Sequence, residues 1–544
     1  MTTLKLLSLL LLSGTFCFGT DIPSKKQKPI VGGQNQVSIL SSTSSVPFQV
    51  LISGCTDAGG SILNKRWILT AAHIAARCGS GSQFYAGVTN RNQLGTGQNK
   101  SHKQHFSYSY NNQAWNQSDS NPSHDVGLVE VNENFSFNSD VQPVKLASDA
   151  DQSLWDNNPL LNVTGFGNTS SGGTVSNELR QVSVKVNSID NGNNKINVGG
   201  NNGNDACQGD SGGPLVANAY YPNNIQIGTV SAGGGCGNGG NYMLVSKYLD
   251  WVTYILHTKG TPDIVCGNTT FENLAVLPNN VSFSWSASPS NLFSNISSTP
   301  TSFTVSNNTD TNESGQGTVT LTVTTPSGTY THVKQVWVGK PAPINIITDG
   351  TFTINGSSTT ICRTFGYCMT SNANTILNLQ SVPTATSFNY AGWPMSNSFF
   401  DPSAPPINDH ACFGTNNTGS YFLTVYATNT CGTSSRNIIV QVNSCGFRVF
   451  PNPAQTTVAV EFEEPDKIES IPDVIDLIDE KTQKKVKTKD VKSLKEKEKN
   501  NPKAYKKIDF DVSDLPRGTY YLNMGFENKN GSKVEQTRII LIDK

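Results

Sequence analysis

Short apolar and β-branched runs, each closed by glycine or asparagine turns, recur from residue 30 to about residue 260. Among them are PFQVLISG, SILNKRWILTAAH, DVGLVEV, LNVTGFG and IQIGTVSA. Runs this brief, with turns this frequent, predict many short strands wound into a β-barrel or sandwich. The period then changes. In SKYLDWVTYILHT (residues 246–258) Leu249, Val252, Ile255 and Leu256 fall on one stripe, which predicts a closing helix with Ser246 as its cap. From Cys266 to Cys445 alternation returns in a Ser/Thr/Asn-rich background and repeats itself. GTVTLTVTTPSGTYTHVKQVWV (317–338) aligns with GSYFLTVYATNTCGTSSRNIIVQV (419–442), each predicting a strand, a turn and a strand that end a small β-sandwich. GKPAP (339–343) between them predicts a linker. The last region opens on VFPNPA (449–454), passes through a lysine-rich stretch and ends in DLPRGTYYLNM…TRIILIDK. Its lysines are mixed with glutamates and lack interleaved aromatics, so the stretch predicts a solvated loop or hairpin extension, not a nucleic-acid arm.

Composition narrows the class. A chain of 544 residues is too long for one core, and only 15% of it is charged, which agrees with strands and turns. A net charge of −1 provides no long-range attraction to nucleic acid or to an acidic membrane surface. No cofactor and no metal is expected. The first 19 residues, MTTLKLLSLLLLSGTFCFG, combine Lys5, an apolar run from Leu6 to Leu12 and small residues, predicting a secretory signal peptide cut after Gly19. Acylation at Cys17 is the weaker alternative, because bulky Phe16 stands where a small residue is expected. Export makes disulfides plausible for the remaining ten of the 11 cysteines.

The candidate chemistry lies in the first strand-rich region. LTAAH ends in His73, HDVGLVEV contains Asp125, and NDACQGDSGGP contains Ser211. A neutral serine hydroxyl is a poor nucleophile, so a base must take its proton as it attacks a carbonyl. Histidine titrates near neutrality, and a carboxylate can fix its tautomer and stabilise the imidazolium. His102, His105 and His124 are equally good histidines taken singly, and Asp119 and Asp140 compete with Asp125 but lack the DxxLV strand that follows it.

With IVGG (30–33), GGSILNKRWILTAAH, DVGLV, VTGFGNTSSGG and DACQGDSGGPLV in this order, residues 30–260 resemble a trypsin/chymotrypsin-type serine protease domain. The resemblance implies an all-β fold of two six-stranded barrels with a C-terminal helix. It implies Ser211 as nucleophile, His73 as base and then acid, and Asp125 as its orienting partner. The backbone N–H groups of Gly209 and Ser211 would form the oxyanion hole. It further implies Asp205 as the floor of the specificity pocket, where a desolvated carboxylate demands Arg or Lys, with Gly233 and Gly240 keeping the opposite wall open. Read locally, Asp205 also suits the turn-rich loop GGNNGNDA. Cys207 and Cys236 match the pair that joins the two pocket walls. Activation would free the Ile30 ammonium to pair with Asp210, after removal of a propeptide spanning residues 20–29.

Several positions depart from the family. Ala58 and Ile74 stand where the histidine-loop cysteines usually do, so a displaced bridge between Cys55 and Cys78 is expected. Leu161 and Asn197 replace other cysteines, Ala232 replaces a large aromatic, and the chain between Val186 and Gly199 is short. Pro29 precedes Ile30, which implies an activating protease that cuts after proline.

Residues 266–340 and 343–445 resemble Ig-like/PKD-like modules, with the pairing of Cys266, Cys362, Cys368, Cys412, Cys431 and Cys445 left open. Residues 449–544, through VFPNPA and LPRGTYYL, are similar to the C-terminal sorting domain of the type IX secretion system. Together these features imply a secreted or surface-attached bacterial endopeptidase that cuts after Arg or Lys. Its partners would be protein substrates, an activating protease and the type IX secretion machinery. The alternatives are a surface binding protein with an inactive protease domain and an endopeptidase of elastase-like preference.

Overall fold

The computed structural model describes residues 37–108, 124–156, 159–218, 221–310, 313–349, 352–363, 367–393, 398–402, 409–415, 417–444, 446–463, 467–498, 501, 504–528 and 531–542. The signal peptide, the propeptide, Ile30 and Asp119 lie outside these residues. The chain divides into two compact units, residues 1–249 and 250–544.

The first unit holds two six-stranded barrels. Strands β1 (Gln49–Ser53), β2 (Ala58–Ile62), β3 (Trp67–Thr70), β4 (Gln83–Ala86), β5 (Gln98–Ser107) and β6 (Gly127–Val131) close in the order β1-β2-β3-β6-β5-β4. Helix α1 (Ala72–Ala75) follows β3. The second barrel uses β7 (Leu160–Gly165), β8 (Arg180–Asp190), β9 (Lys195–Val198), β10 (Pro214–Ala217), β11 (Ile225–Gly233) and β12 (Gly240–Leu244). Its order, β7-β8-β9-β12-β11-β10, repeats that of the first, with β7 pairing both β8 and β10 to close the ring. Closure leaves no open edge. Inward residues fill the first barrel: Val50, Ile52, Ile62, Ile68, Phe84, Val129 and Val131 form one buried cluster.

The barrels meet through glycine. A Cβ at Gly59 would lie 2.8 Å from Gly213 Cα, and one at Gly212, whose φ is +78°, would lie 2.0 Å from Thr70 Oγ1. Side chains at either place would separate the barrels, so the close approach depends on glycine. A disulfide joins Cys55 to Cys78, whose Cα atoms are 5.0 Å apart.

A 3-10 turn (Val245–Tyr248) precedes helix α2 (Leu249–Lys259). Ser246 is not the cap expected of it: it is buried inside that turn, and its hydroxyl finds no partner among the described residues. The apolar stripe Leu249, Val252, Ile255 and Leu256 is buried as the spacing requires. In the second unit α2 is bonded to the sheet that follows it. Asn273 Nδ2 donates to Thr253 O at 2.9 Å, and the buried Lys334 Nζ donates to Thr258 O at 2.7 Å while pairing with Asp263. Burial pushes the His257 imidazole down to about 4, so it stays neutral and donates Nε2–H to Val319 O.

Three further pairs of facing sheets complete the second unit, each over its own core. Each pair contains one long hairpin with a two-residue turn: Gly315–Thr325 with Gly328–Val338, Gly419–Asn429 with Gly432–Asn443, and Gly518–Asn528 with Gly531–Leu541. The repeat visible in the sequence twice therefore occurs three times in the structure.

The GKPAP segment between the two modules is held by hydrogen bonds. Trp337 Nε1 donates to Lys340 O, Ala342 N donates to Thr384 Oγ1, Ser434 Oγ donates to Pro341 O, and Asn429 Nδ2 donates to Gly339 O. Cys266 is disulfide-bonded to Cys431 across the same junction, and Cys368 to Cys412 within the second module. Cys362 is also disulfide-bonded, and Cys445 lies outside the described residues. Of the two readings of the lysine-rich stretch, the solvated hairpin extension is the one found, its strand pairing antiparallel with Val474–Asp479, and a helix follows. The stretch forms strand Lys485–Asp490 and helix Val491–Lys497, capped by Asp490, with Lys485 on Asp476, Lys487 on Asp514 and Lys495 on Asp473. The strand pairs on one side only, and lysines along such an edge discourage a second strand from adding to it.

Candidate active site

Glycine brings the first two chemical groups together. Small residues in Ala-Ala-His-Ile-Ala-Ala let α1 lie against the start of β6, where a Cβ at Gly127 would lie 2.7 Å from Ala75 Cβ and 2.8 Å from Ala71 O. Asp125, two residues before Gly127, is thereby aimed at the N-terminal turn of α1. Its Oδ1 accepts from His73 N at 2.9 Å, and its Oδ2 lies 2.7 Å from His73 Nδ1. Ser231 Oγ on β11 donates to Oδ2 at 2.7 Å. Burial alone would push the Asp125 carboxyl up. The hydrogen bonds from His73 and Ser231, with the charge of His73, outweigh it and hold the group below the ordinary carboxylate range. An ionised carboxylate only accepts, so Nδ1 of His73 carries hydrogen and Nε2 is the basic nitrogen.

Ser211 lies in the glycine-rich turn between Cys207 and β10. Its carbonyl accepts from Gly59 N at 2.8 Å, and its neighbour Gly212 packs on Thr70 and Ala71, the residues leading into His73. The turn is thus held against the segment that carries the imidazole. Asp210 N donates to Cys207 O and Gly212 N to Val230 O, whereas among the described residues the amides of Gly209 and Ser211 donate to no protein acceptor. Gly209 has φ +96°, and a Cβ there would sit 3.1 Å from Gly167 Cα, so the peptide orientation at this step favours glycine.

Asp210 is enclosed. Its carboxylate accepts from Gly167 N at 2.8 Å and from Cys207 N at 2.9 Å. Gly165 and Gly167 make room for it, a Cβ at Gly165 falling 2.1 Å from Oδ1. Burial, with Asp205 adding repulsion, pushes its carboxyl up to about 6.

Asp205 lines a pocket of about 160 Å³ together with Ser211, Val230, Gly233, Gly240 and Tyr242. It is 2% exposed. Oδ2 accepts from Gly239 N at 2.9 Å and Gly237 N at 3.2 Å, while Oδ1 has no hydrogen-bond partner among the described residues. Burial pushes this carboxyl up to about 6, against the pull of the backbone N–H groups. Gly233 and Gly240 are paired across β11 and β12, a Cβ at Gly233 lying 3.3 Å from Gly240 Cα. Cys207 and Cys236 are disulfide-bonded, with Cα atoms 4.8 Å apart, across the mouth of the same pocket.

Two histidines and one aspartate considered in the sequence lie apart from this constellation: His102 and His105 hydrogen-bond each other on β5, and Asp140 accepts from Thr43 and Ser42. His124 directly precedes Asp125 and packs beside Tyr248. Sequence reasoning missed two groups. Ser231 stands near the end of the run IQIGTVSA, two residues after Thr229, and nothing local marks it out from that neighbouring hydroxyl. Tyr242 lines the pocket and its buried hydroxyl has no partner among the described residues, and nothing local in the sequence distinguishes it from a core tyrosine.

Comparison with known proteins agrees with this architecture. Residues 30–252 match the Trypsin family, and residues 448–541 match a secretion system C-terminal sorting domain. Trypsin 5G1 of Aedes aegypti is 34% identical over 226 residues, covering 38% of this chain and 79% of that protein. Coagulation factor IX of Cavia porcellus is 32% identical over 250 residues, covering 42% and 82%. Trypsin delta of Drosophila erecta is 31% identical over 263 residues, covering 45% and 96%. The sorting domain implies secretion through the type IX machinery, and the protease domain implies protein substrates. With its paired barrels and these relatives, the chain belongs to the trypsin family of serine-type peptidases and carries a C-terminal secretion sorting domain.

Proposed function

We propose that this chain is a secreted serine endopeptidase that hydrolyses peptide bonds after Arg or Lys through an acyl-enzyme. Ser211 Oγ attacks the substrate carbonyl carbon as His73 Nε2 takes the hydroxyl proton. The tetrahedral oxyanion is stabilised by the N–H groups of Gly209 and Ser211. Losing one such donor typically costs ~10²–10³ in turnover. Collapse breaks the C–N bond, and the imidazolium gives its proton to the leaving amine. Water, deprotonated by His73, then attacks the ester and regenerates Ser211. Asp125 stays ionised and holds the imidazolium. The observation that carries this reading is the 2.7 Å contact of His73 Nδ1 with the buried Asp125 carboxylate, which leaves Nε2 as the base.

The preference for Arg or Lys rests on Asp205. A carboxylate 2% exposed, with one oxygen unsatisfied, gains most from a cation that brings its own donors. Activation in this reading frees the Ile30 ammonium, by cleavage after Pro29, to pair with Asp210, which is otherwise held near a pKa of about 6. N-terminal sequencing of active protein should therefore begin at Ile30.

The test is to incubate matured protein with a mixed peptide library and read the cut sites by mass spectrometry. Cuts after Arg and Lys are expected from the native chain and none from Ser211→Ala. Cuts after small apolar residues would overturn the specificity, and failure of Ser211 to react with a fluorophosphonate would overturn the chemistry. Deleting residues 449–544 should leave the protein in the periplasm. Unchanged export would show that the tail has no sorting role here.

A further inference from the structure

We infer that His124 is a positioning residue for Asp125, holding the carboxylate on target through a left-handed backbone turn tethered to Tyr248. The inference rests on the reading of Asp125 as the orienting carboxylate.

His124 has φ +62°, a left-handed conformation uncommon outside glycine, which histidine tolerates better than β-branched residues do but still adopts in few cases. It is also buried, at 8% exposure. Its carbonyl accepts from Val126 N at 2.8 Å, so residues 124–126 form a three-residue turn with Asp125 at its centre. The left-handed step delivers Asp125 into the interior just before β6 begins at Gly127. There its two oxygens meet His73 and Ser231.

The side chain holds that step in place. His124 Nδ1 and the Tyr248 hydroxyl share a hydrogen bond at 3.0 Å. The imidazole also lies 5.4 Å from the Tyr108 ring, and Tyr108 meets Tyr248 edge-on at 5.0 Å, so three rings close on one another. Tyr108 N in turn donates to Val126 O at 2.9 Å, which binds the ring cluster to the turn's far side. Tyr248 is itself buried in the turn ahead of α2. A backbone held in an uncommon conformation persists only where its surroundings over-determine it, and here they include a hydrogen bond to Tyr248 and aromatic contacts with Tyr108 and Tyr248, next to a carboxylate whose direction matters. In this inference His124 acts through Asp125, its neighbour in the chain.

Valine disfavours the left-handed turn and lacks the tether. Asparagine tolerates the turn and offers Tyr248 a polar group. We expect His124→Val to lower kcat, counted per titrated active site, by about tenfold or more while KM stays within about twofold. His124→Asn should restore kcat to within about threefold of the native value, and Tyr248→Phe should fall between the two. Active-site titration and thermal melting separate misalignment from loss of folded protein. Should His124→Val fail to fold, the comparison passes to His124→Gly, which keeps the turn without the tether, and to Tyr248→Phe. Either pair decides it: kcat per site within about twofold of native in His124→Val, or in both of the substitute variants, overturns the inference. A Ser211→Ala protein that still cleaves would instead overturn the proposed function, leaving a different signature.

Discussion

Asp125 and Asp205 are both buried carboxylates of the first unit, yet they are furnished in opposite ways. Asp125 has partners on both oxygens, from the backbone and ring of His73 and from Ser231, and its carboxyl lies below the ordinary range. Asp205 receives N–H groups on one oxygen only, and its carboxyl is pushed up to about 6. Burial opposes ionisation at both. What separates them is whether the fold itself provides enough donors to compensate. A saturated carboxylate has no remaining appetite for a ligand and serves to orient a neighbour. One left half satisfied retains a large free-energy incentive to meet a cation, which is what the proposed preference for Arg or Lys draws on.

The contrast can be broken or sharpened by substitution, beginning with the largest effect. Asp125→Asn removes the charge and presents the wrong donor to Nδ1, so kcat should fall by ~10⁴ with little change in KM. Steady-state kinetics at neutral pH check this, and a loss under about tenfold would mean that Asp125 does not orient the imidazole. Asp205→Ser should leave the chemistry intact but reduce the preference for Arg over Leu substrates by about 10²–10³, read as a ratio of kcat/KM values. An unchanged ratio would remove Asp205 from the pocket floor.

Proton linkage gives a third comparison. A cation binds the ionised form of Asp205, so binding is complete above the raised value of about 6 and is lost as pH falls through it. Benzamidine bound to a His73→Ala protein, which eliminates titration of the imidazole, should weaken about tenfold per pH unit below that point. Affinity constant down to pH 4.5 would show the carboxyl to be as easily ionised as Asp125. The smallest effect is expected of Ser231→Ala. Loss of one of several donors to Asp125 should lower kcat about fivefold, and identical kinetics would mean that the His73 contacts suffice alone.

Much of the candidate site was legible in the sequence because each of its segments carries a local pattern. Strand-to-helix punctuation around His73, the apolar strand after Asp125 and the glycine-rich turn around Ser211 each constrain a few neighbouring residues. The helix after residue 245 was equally readable from its stripe, though not its first turn, since Ser246 looks like a cap and is buried instead. Contacts between distant segments were less accessible. Nothing near Ser231 announces a hydrogen bond to a residue 106 positions away. The pairing of Cys266 with Cys431 depends on how two modules abut, and GKPAP reads as a linker until the side chains of Thr384, Asn429 and Ser434 are seen to satisfy its backbone. In the lysine-rich stretch the solvated hairpin was within the reading made from its charge, whereas the short helix Val491–Lys497 was not, because its lysines and glutamates leave too short an apolar stripe to mark it.

The bridge between Cys266 and Cys431 spans 165 residues and encloses nearly the whole stretch between the first module's opening strand and the second module's hairpin turn. For a chain that carries a secretion sorting domain, this has a practical result. A single cut anywhere inside that covalent ring severs the polypeptide but releases no fragment, and the damage would show on a gel only after reduction.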